Sequence, residues 1–167
     1  MAARTIFDRL KQDHDKHRAL IDAIGQTSGD SAERERLFEE FKLDATAHAA
    51  AEEETFYAAI MKQSDLREDA RHSVSEHKDV AELFVELSDM DKGSSGWLNR
   101  FNSLKEKYLH HIDEEEQEKF PKAQAEMSEG EQVQLKDEFN ARKPEERDRA
   151  KAGTDEKELR KEMSEGK

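Results

Sequence analysis

Apolar residues recur every three or four positions through most of this 167-residue chain, and that repeat strongly limits what the chain can fold into. Residues at this spacing lie on one face of an α-helix. Loops that contain glycine, at 25–31 and 90–96, separate segments rich in good helix formers. The repeat therefore predicts four long helices. Their predicted ranges are 4–24, 32–61, 65–89 and 97–126.

Four helices with one apolar face each, joined by short loops, favour an antiparallel up-down four-helix bundle. The predicted fold class is therefore all-α. A shorter fifth helix is predicted over 131–142. The apolar repeat fails after Arg142, so we predict a bundle domain over 1–142 and a charged, disordered tail over 143–167.

The charge balance excludes several classes of function. The chain has 28 Lys and Arg against 41 Asp and Glu, a net charge of −13, which disfavours nucleic acid as a partner because phosphate binding needs basic side chains. No apolar run approaches the ~20 residues that cross a bilayer, so no membrane partner is expected. The sequence has no cysteine, which excludes disulfides and thiolate ligands and favours a cytoplasmic location.

A histidine interrupts each of the four apolar stripes, and two of the stripes carry a glutamate four residues later. Both side chains of such a pair project from the same helix face. A buried carboxylate is costly unless it is paired, hydrogen bonded or bound to a metal. The set therefore predicts a cation site, and donors without sulfur favour iron, manganese or zinc. The predicted ligands are His14, His48, Glu52, His77, His111 and Glu115.

Three further histidines are less clearly placed. His17 lies on the first stripe, and a metal ligand and an ordinary half-buried histidine are both open for it. His72 and His110 fall off their stripes, so a surface position is favoured for both.

Other polar residues near the predicted ligands suggest supporting roles. Asp13, Glu76 and Asp113 neighbour the histidines and either orient their ring N–H groups or are simply exposed. Tyr108 lies one turn before His111. It is expected in the core, where its hydroxyl could donate to a supporting carboxylate.

The order of the ligands argues against one class of metal-binding bundle. Ferritin-like di-iron proteins use Glu-x-x-His, whereas no histidine in this chain follows a glutamate by three residues. The order here is His-x-x-x-Glu. Together with its context, that order resembles the hemerythrin-like, HHE cation-binding domain. The matching segments are 11–24, 48–60, 75–87 and 110–124, the last with the Phe120–Pro121 pair that follows the fourth-helix motif in this family.

The resemblance implies a non-haem di-iron centre with an oxo- or hydroxo-type bridge and an open iron position for dioxygen. It assigns the six residues above as ligands, with Glu52 and Glu115 as the bridging carboxylates. Oxygen-carrying members have a second histidine four residues from the third-helix ligand, and here Ser73 stands four residues before His77. His17 is the stronger substitute for that histidine and His72 the weaker one.

The family resemblance implies a protein that binds or senses dioxygen or a related small ligand, in oxidative or general stress response or in iron handling. The alternatives are a di-iron enzyme acting on peroxide, nitric oxide or ferrous iron, and a regulatory interaction protein in which the metal only stabilises the fold. We rank a non-enzymatic role first, because nothing in the sequence indicates a substrate pocket or a reductase partner.

Overall fold

The computed structural model describes residues 2–166, and over this range the secondary structure is helical without strands. The helices are α1 Ile6–Gly25, α2 Ala32–Glu52, α3 Ala58–Ile60, α4 Arg67–Asp89, α5 Ser95–Glu114, α6 Phe120–Gln124, α7 Glu129–Ala152 and α8 Thr154–Glu165. A single π turn joins α2 to α3 at Glu53–Tyr57, and another joins α5 to α6 at Glu115–Lys119. Over residues 2–166, no helix is long and apolar enough to cross a membrane.

Hydroxyl side chains set the start of the principal helices. Thr5, Ser31, Ser94 and Ser128 each have extended backbone and accept a hydrogen bond from the backbone N–H three residues later. Such an N-cap satisfies a donor that the helix leaves free and contributes about 1 kcal/mol. These caps fix where α1, α2 and α5 begin, and so which of their residues reach the inner face, whereas α4 begins after Leu66 without a side-chain cap.

Four helices close into the bundle that the sequence predicts. Contacts run from α1 to α2, from α2 to α4, from α4 to α5 and from α5 back to α1. The all-α bundle prediction is confirmed. The core has two apolar clusters, one around Phe7, Phe56 and Phe120 and the other around Phe41 and Trp97.

A polar layer separates the two apolar clusters along α1, α2 and α4. On α1, Leu10 belongs to the first cluster and Ile21 to the second. Between them lie the buried histidines His14 and His17. The same order, reversed in direction, holds on α2. The histidines and glutamates of the stripes are thus brought to one level of the bundle, with apolar packing on both sides.

The first π turn begins directly after Glu52, and the second begins at Glu115. Each contains a hydrogen bond from residue i+5 to residue i, which adds one residue to the turn. In the second turn the N–H of Phe120 donates to the carbonyl of Glu115, and Pro121, which has no N–H, follows at once. In the first turn the hydroxyl of Thr55 donates to the Ala51 carbonyl at 2.7 Å. The sequence analysis predicted continuous helices through both places.

The C-terminal region differs from the sequence prediction. The fifth helix does not end near Arg142, since α7 continues to Ala152, and α7 and α8 together cover most of the segment expected to be disordered. The reason is that the second half of the buried stripe of α7 is charged. A search for an apolar repeat therefore does not predict that this part of the helix is buried. The stripe consists of Gln132, Leu135, Phe139, Lys143 and Glu146. The boundary of the domain at 142 stays a prediction.

Helix α8 is attached to the bundle in a different way from α7. Gly153, with φ 76°, ends α7 in the left-handed conformation that favours glycine. None of the residues of α8 is buried. Its contacts with α4 include ion pairs such as Arg160 with Asp89 at 2.8 Å. Exposed ion pairs contribute about 0–1 kcal/mol each, so α8 is held far more weakly than α7.

Hydrogen exchange should separate these two helices. We expect the amides of α7 from Leu135 to Glu146 to exchange slowly because this stretch packs against α1 and α2. The amides of α8 should exchange close to the rate of an isolated helix. Equal protection of both helices would contradict this difference in packing.

Candidate metal centre

The structure brings all six predicted ligand residues together. One group consists of His14, His48 and Glu52, and the other shares Glu52 and adds three residues from the second half of the bundle. Within each group, one donor atom of every residue lies within 4.8 Å of the others. The second group is Glu52, His77, His111 and Glu115.

Each central carboxylate lies between histidines from two helices. Glu115 Oε1 is 3.2 Å from His111 Nε2 and 3.4 Å from His14 Nε2. Glu52 is 3.1 Å from His77 Nε2 and 3.6 Å from His48 Nε2. Metal–ligand bonds of ~2.1 Å place neighbouring ligands about 3.0–3.5 Å apart in octahedral or tetrahedral geometry. The observed separations are close to this range.

Several donor atoms of this centre have no hydrogen-bond partner although they are buried. They are the Nε2 atoms of His14 and His48, both oxygens of Glu52 and Oε1 of Glu115. Both glutamates are 0 % exposed. A buried polar atom without a partner costs about 1–3 kcal/mol, more if charged. Since these atoms face one another, the residues fit a metal ion.

Every histidine of the centre is oriented by a carboxylate on its other ring nitrogen. All four Nδ1 atoms lie 2.7–2.9 Å from a carboxylate oxygen, which leaves Nε2 directed at the centre. Such partners fix the ring orientation and increase the basicity of a metal-binding imidazole. The pairs are His14 with Glu116, His48 with Asp13, His77 with Glu53, and His111 with Glu76.

Two of these four orienting carboxylates lie where the sequence analysis looked, and two do not. For Asp13, Glu76 and Asp113 the sequence left an orienting role and simple exposure both open. Asp13 and Glu76 contact histidines, whereas Asp113 pairs with an arginine on the surface. Glu53 and Glu116 were missed. Each directly follows a central glutamate, so the doubled Glu after both His-x-x-x motifs was the signal that would have identified them.

In the metal-free protein the histidines bind protons tightly. Burial lowers the pKa of the His14 imidazole, but the adjacent carboxylates of Glu115 and Glu116 outweigh burial and raise the pKa to about 9. Burial acts on His77 in the same way and is outweighed chiefly by the Glu52 carboxylate, which raises the pKa to about 10. Protons therefore neutralise the buried carboxylates when no metal does so.

His17 lies in the same layer but outside both groups. Its Nε2–H donates to Asp44 at 2.7 Å, and its Nδ1 accepts from the Tyr108 hydroxyl at 2.5 Å. Burial is the main cause that lowers the pKa of His17 to about 4, so the ring is neutral at pH 7. Both ring nitrogens are thus engaged, and the structure does not bring His17 to the centre as a fifth histidine. Tyr108 is in the core as predicted, but its partner is an imidazole rather than a carboxylate.

His72 and His110 lie at the surface, as predicted. His72 approaches Glu76 and Glu114 on the outside of α4 and α5 at 3.6 and 3.8 Å. His110 lies 3.2 Å from Glu114. Neither belongs to the two central groups.

The place of the missing second histidine on the third bundle helix is filled by other polar side chains. The buried Ser73 accepts a hydrogen bond from Lys119 at 2.7 Å. The hydroxyl of Tyr57 donates to Glu115 Oε2. Tyr57 is five residues after Glu52, and the π turn brings it round to the inner face. Sequence periodicity gave no reason to expect it there.

A cavity of about 350 Å³ reaches the centre between α2 and α4. Its walls include Ala45, Ala49, Ala81, Phe84 and Ile112, which are small or apolar. Glu146, Arg149 and Asp155 of the C-terminal helices lie at its outer end. At its inner end it is lined by His48, His77, His111 and Glu115.

Comparison with known proteins identifies the class of this bundle. The family model of the hemerythrin HHE cation-binding domain matches residues 5–123. The chain therefore belongs to the hemerythrin HHE cation-binding domain family. A crystal structure of a hemerythrin HHE cation-binding domain-containing protein from Mycobacterium kansasii has the same fold, with a TM-score of 0.79 over 92 % of each chain and 24 % identity.

One curated relative is much longer than this chain. It is a protein of Nostoc sp. (strain PCC 7120) named DNA nickase, which is 27 % identical over 139 residues. The match covers 83 % of this chain but only 39 % of that protein. The chain thus spans about two fifths of the length of this relative.

Metal binding should release protons and become tighter as the pH rises. His14 and His77 carry protons up to pH values of about 9 and 10, and a metal can bind only the deprotonated rings. The charge of these histidines stabilises the metal-free fold below pH 6.5, and this stabilisation is lost as the pH rises through those values.

At pH 7, calorimetric titration with Zn²⁺ in buffers of different ionisation enthalpy should show release of about two or more protons. Variant H110A, which removes an exposed histidine outside the centre, should release the same number as the wild type. Heats that do not depend on the buffer would contradict protonated histidines in the metal-free centre.

Proposed function

We propose that this chain is a non-haem di-iron protein that binds dioxygen or a related small ligand. The observation that carries the proposal is the set of buried donor atoms without partners on His14, His48, Glu52 and Glu115. In the proposed centre four histidines and two glutamates hold the ions. When bound, iron supplies redox chemistry and an affinity for dioxygen and its relatives.

The placement of the carboxylates supports two ions rather than one. Glu52 approaches His48 on one side and His77 on the other, while Glu115 approaches His14 and His111 in the same manner. Each carboxylate therefore has a histidine from each half of the centre beside it. This is the arrangement that a bridging carboxylate requires in a two-metal site.

The cavity supports a ligand from outside the protein. It connects the surface with three of the histidines and with Glu115, and its walls of alanine and apolar side chains suit a small molecule of low charge. Two orienting carboxylates, Glu53 and Glu116, keep the imidazoles in place while a ligand enters or leaves.

We propose a cytoplasmic location, which the lack of cysteine favours. We also propose a role in oxidative or general stress response or in iron handling, as the family resemblance implies. The nicking of DNA named for the cyanobacterial relative is not part of this proposal. The chain matches 39 % of that protein, and a net charge of −13 disfavours binding to phosphate.

Removal of a central carboxylate should abolish the paired centre. Wild-type protein loaded anaerobically with ferrous iron should hold about two ions per chain and show near-ultraviolet charge-transfer absorption after exposure to air. Variant E115A should lose this absorption and hold at most about one ion, because Glu115 contacts histidines of both halves.

Metal analysis, absorption spectra and circular dichroism provide the measurements. E118A, an exposed glutamate in the same segment, is the matched control. Wild-type protein without bound iron after loading would refute the proposal.

A larger side chain in the cavity wall should slow the entry of ligand without removing the metal. Variant A81L narrows the cavity between α2 and α4, so stopped-flow binding of azide to the iron-loaded protein should slow several-fold. The iron content should remain that of the wild type. Variant A141L adds the same bulk at an exposed position of α7 and should bind azide at the wild-type rate. Equal rates for all three proteins would show that ligands enter elsewhere.

A further inference from the structure

Helix α7 contributes a buried lysine to the back of the metal centre, although it lies outside the residues that match the family model. The side chain of Lys143 is 9 % exposed. Its Nζ lies 2.9 Å from Asp13 Oδ2 and 3.0 Å from Asp44 Oδ1. A lysine at this degree of burial needs such partners, because an unpaired buried ammonium is very costly.

Both aspartates that Lys143 contacts also hold a histidine of the polar layer. Asp13 Oδ2 accepts from His48 Nδ1 at 2.7 Å, and Asp44 Oδ2 accepts from His17 Nε2 at 2.7 Å. In the first case the same oxygen atom accepts both the histidine and the lysine. The ammonium group of Lys143 therefore contacts the aspartate that orients His48.

Other cations contact these aspartates singly. Arg9 pairs with Asp13 at 2.6 Å, and Arg147 pairs with Asp44 at 2.7 Å. Over residues 2–166, Lys143 is the side chain whose ion pairs reach both carboxylates. Without it, two buried negative charges would face each other across the space that its ammonium fills, and their repulsion is strong where water is excluded.

We propose that Lys143 is a positioning residue of the metal centre, which holds Asp13 against His48 and so aims His48 Nε2 at the metal. This inference rests on the proposed function of the centre. Its basis is distinct, however, because over residues 2–166 the hydrogen bonds and ion pairs of Lys143 run to Asp13 and Asp44 and to none of the six ligand residues. It acts on the half of the centre formed by His14, His48 and Glu52.

A consequence is that metal binding and the docking of α7 are coupled. If docked α7 favours the metal-binding orientation of His48, then bound metal must favour docked α7 by the same free energy. Helix α7, which begins after the end of the family match at residue 123, is thereby part of the metal centre.

Variant K143M tests the proposal. It keeps the length and apolar stem of the side chain but removes the charge. We expect Zn²⁺, added alone and measured by competition with a chelator, to bind about tenfold more weakly to one of two sites, while the other site is unchanged. K136M, on the same helix, is the matched control and should bind like the wild type, because the ion pair of Lys136 is with Asp137 and not with either of the two aspartates. K143R should restore most of the affinity.

A second measurement detects orientation directly and does not need the metal. In ¹H–¹⁵N spectra the Nδ1 proton of His48 should be observable and protected from exchange in the metal-free wild type, because it is buried and donates to Asp13. In K143M this signal should broaden or disappear. A purely structural role for the lysine would lower the melting temperature without changing this proton. Should K143M not fold, K143M/D44N removes the lysine together with one buried carboxylate and carries the same expectation.

The outcomes separate this inference from the proposed function. Unchanged affinity at both sites and an unchanged His48 signal in K143M would overturn the role of Lys143 while leaving the metal centre intact. If the wild type binds no metal but K143M still loses the His48 signal, the centre is refuted as a metal site and the positioning contact is retained.

Discussion

Two carboxylates with no access to water are the constraint on which the rest of this structure depends. Glu52 and Glu115 are 0 % exposed and face four imidazoles rather than solvent. A bundle can bury such charges only if positive charge is supplied at the same level. In the metal-free protein protons on the histidines supply it, as the raised pKa values of His14 and His77 show. The same geometry serves metal ions, which release those protons when they bind.

Apolar packing on both sides makes this polar layer tolerable. The two hydrophobic clusters enclose it along the bundle axis, and aromatic contacts reach the ligands themselves. The Phe120 ring stacks on His14 with a centroid distance of 5.9 Å, and Phe139 of α7 packs edge-on against His48 at 5.6 Å. Rigid neighbours of this kind hold the donor atoms in place before any ion arrives, which lowers the cost of ordering them on binding.

Much of the fold was predictable because each bundle helix carries its own apolar stripe, and the six central residues were predictable because they replace members of those stripes. The remaining features depend on contacts that a stripe does not encode. Glu53 and Glu116 project sideways to histidines on neighbouring helices, so periodicity marks them as exposed. Tyr57 reaches the inner face only through a π turn. The buried half of α7 uses Glu146, which pairs with Arg142, and Lys143, whose partners Asp13 and Asp44 are distant in the sequence.

The two π turns are places where the number of residues near the centre can change. A π turn absorbs one residue more than an α turn while the helix beyond it continues in nearly the same direction. Ile60 and Ala123, which follow the two turns, accordingly pack in one and the same apolar cluster. A residue could be inserted or deleted at 53–57 or 115–119 while the helices beyond the turns stay in place. The change would alter only which side chains lie next to the carboxylates. These turns are therefore the places where insertion and deletion, rather than substitution, can remodel the inner surface of the centre.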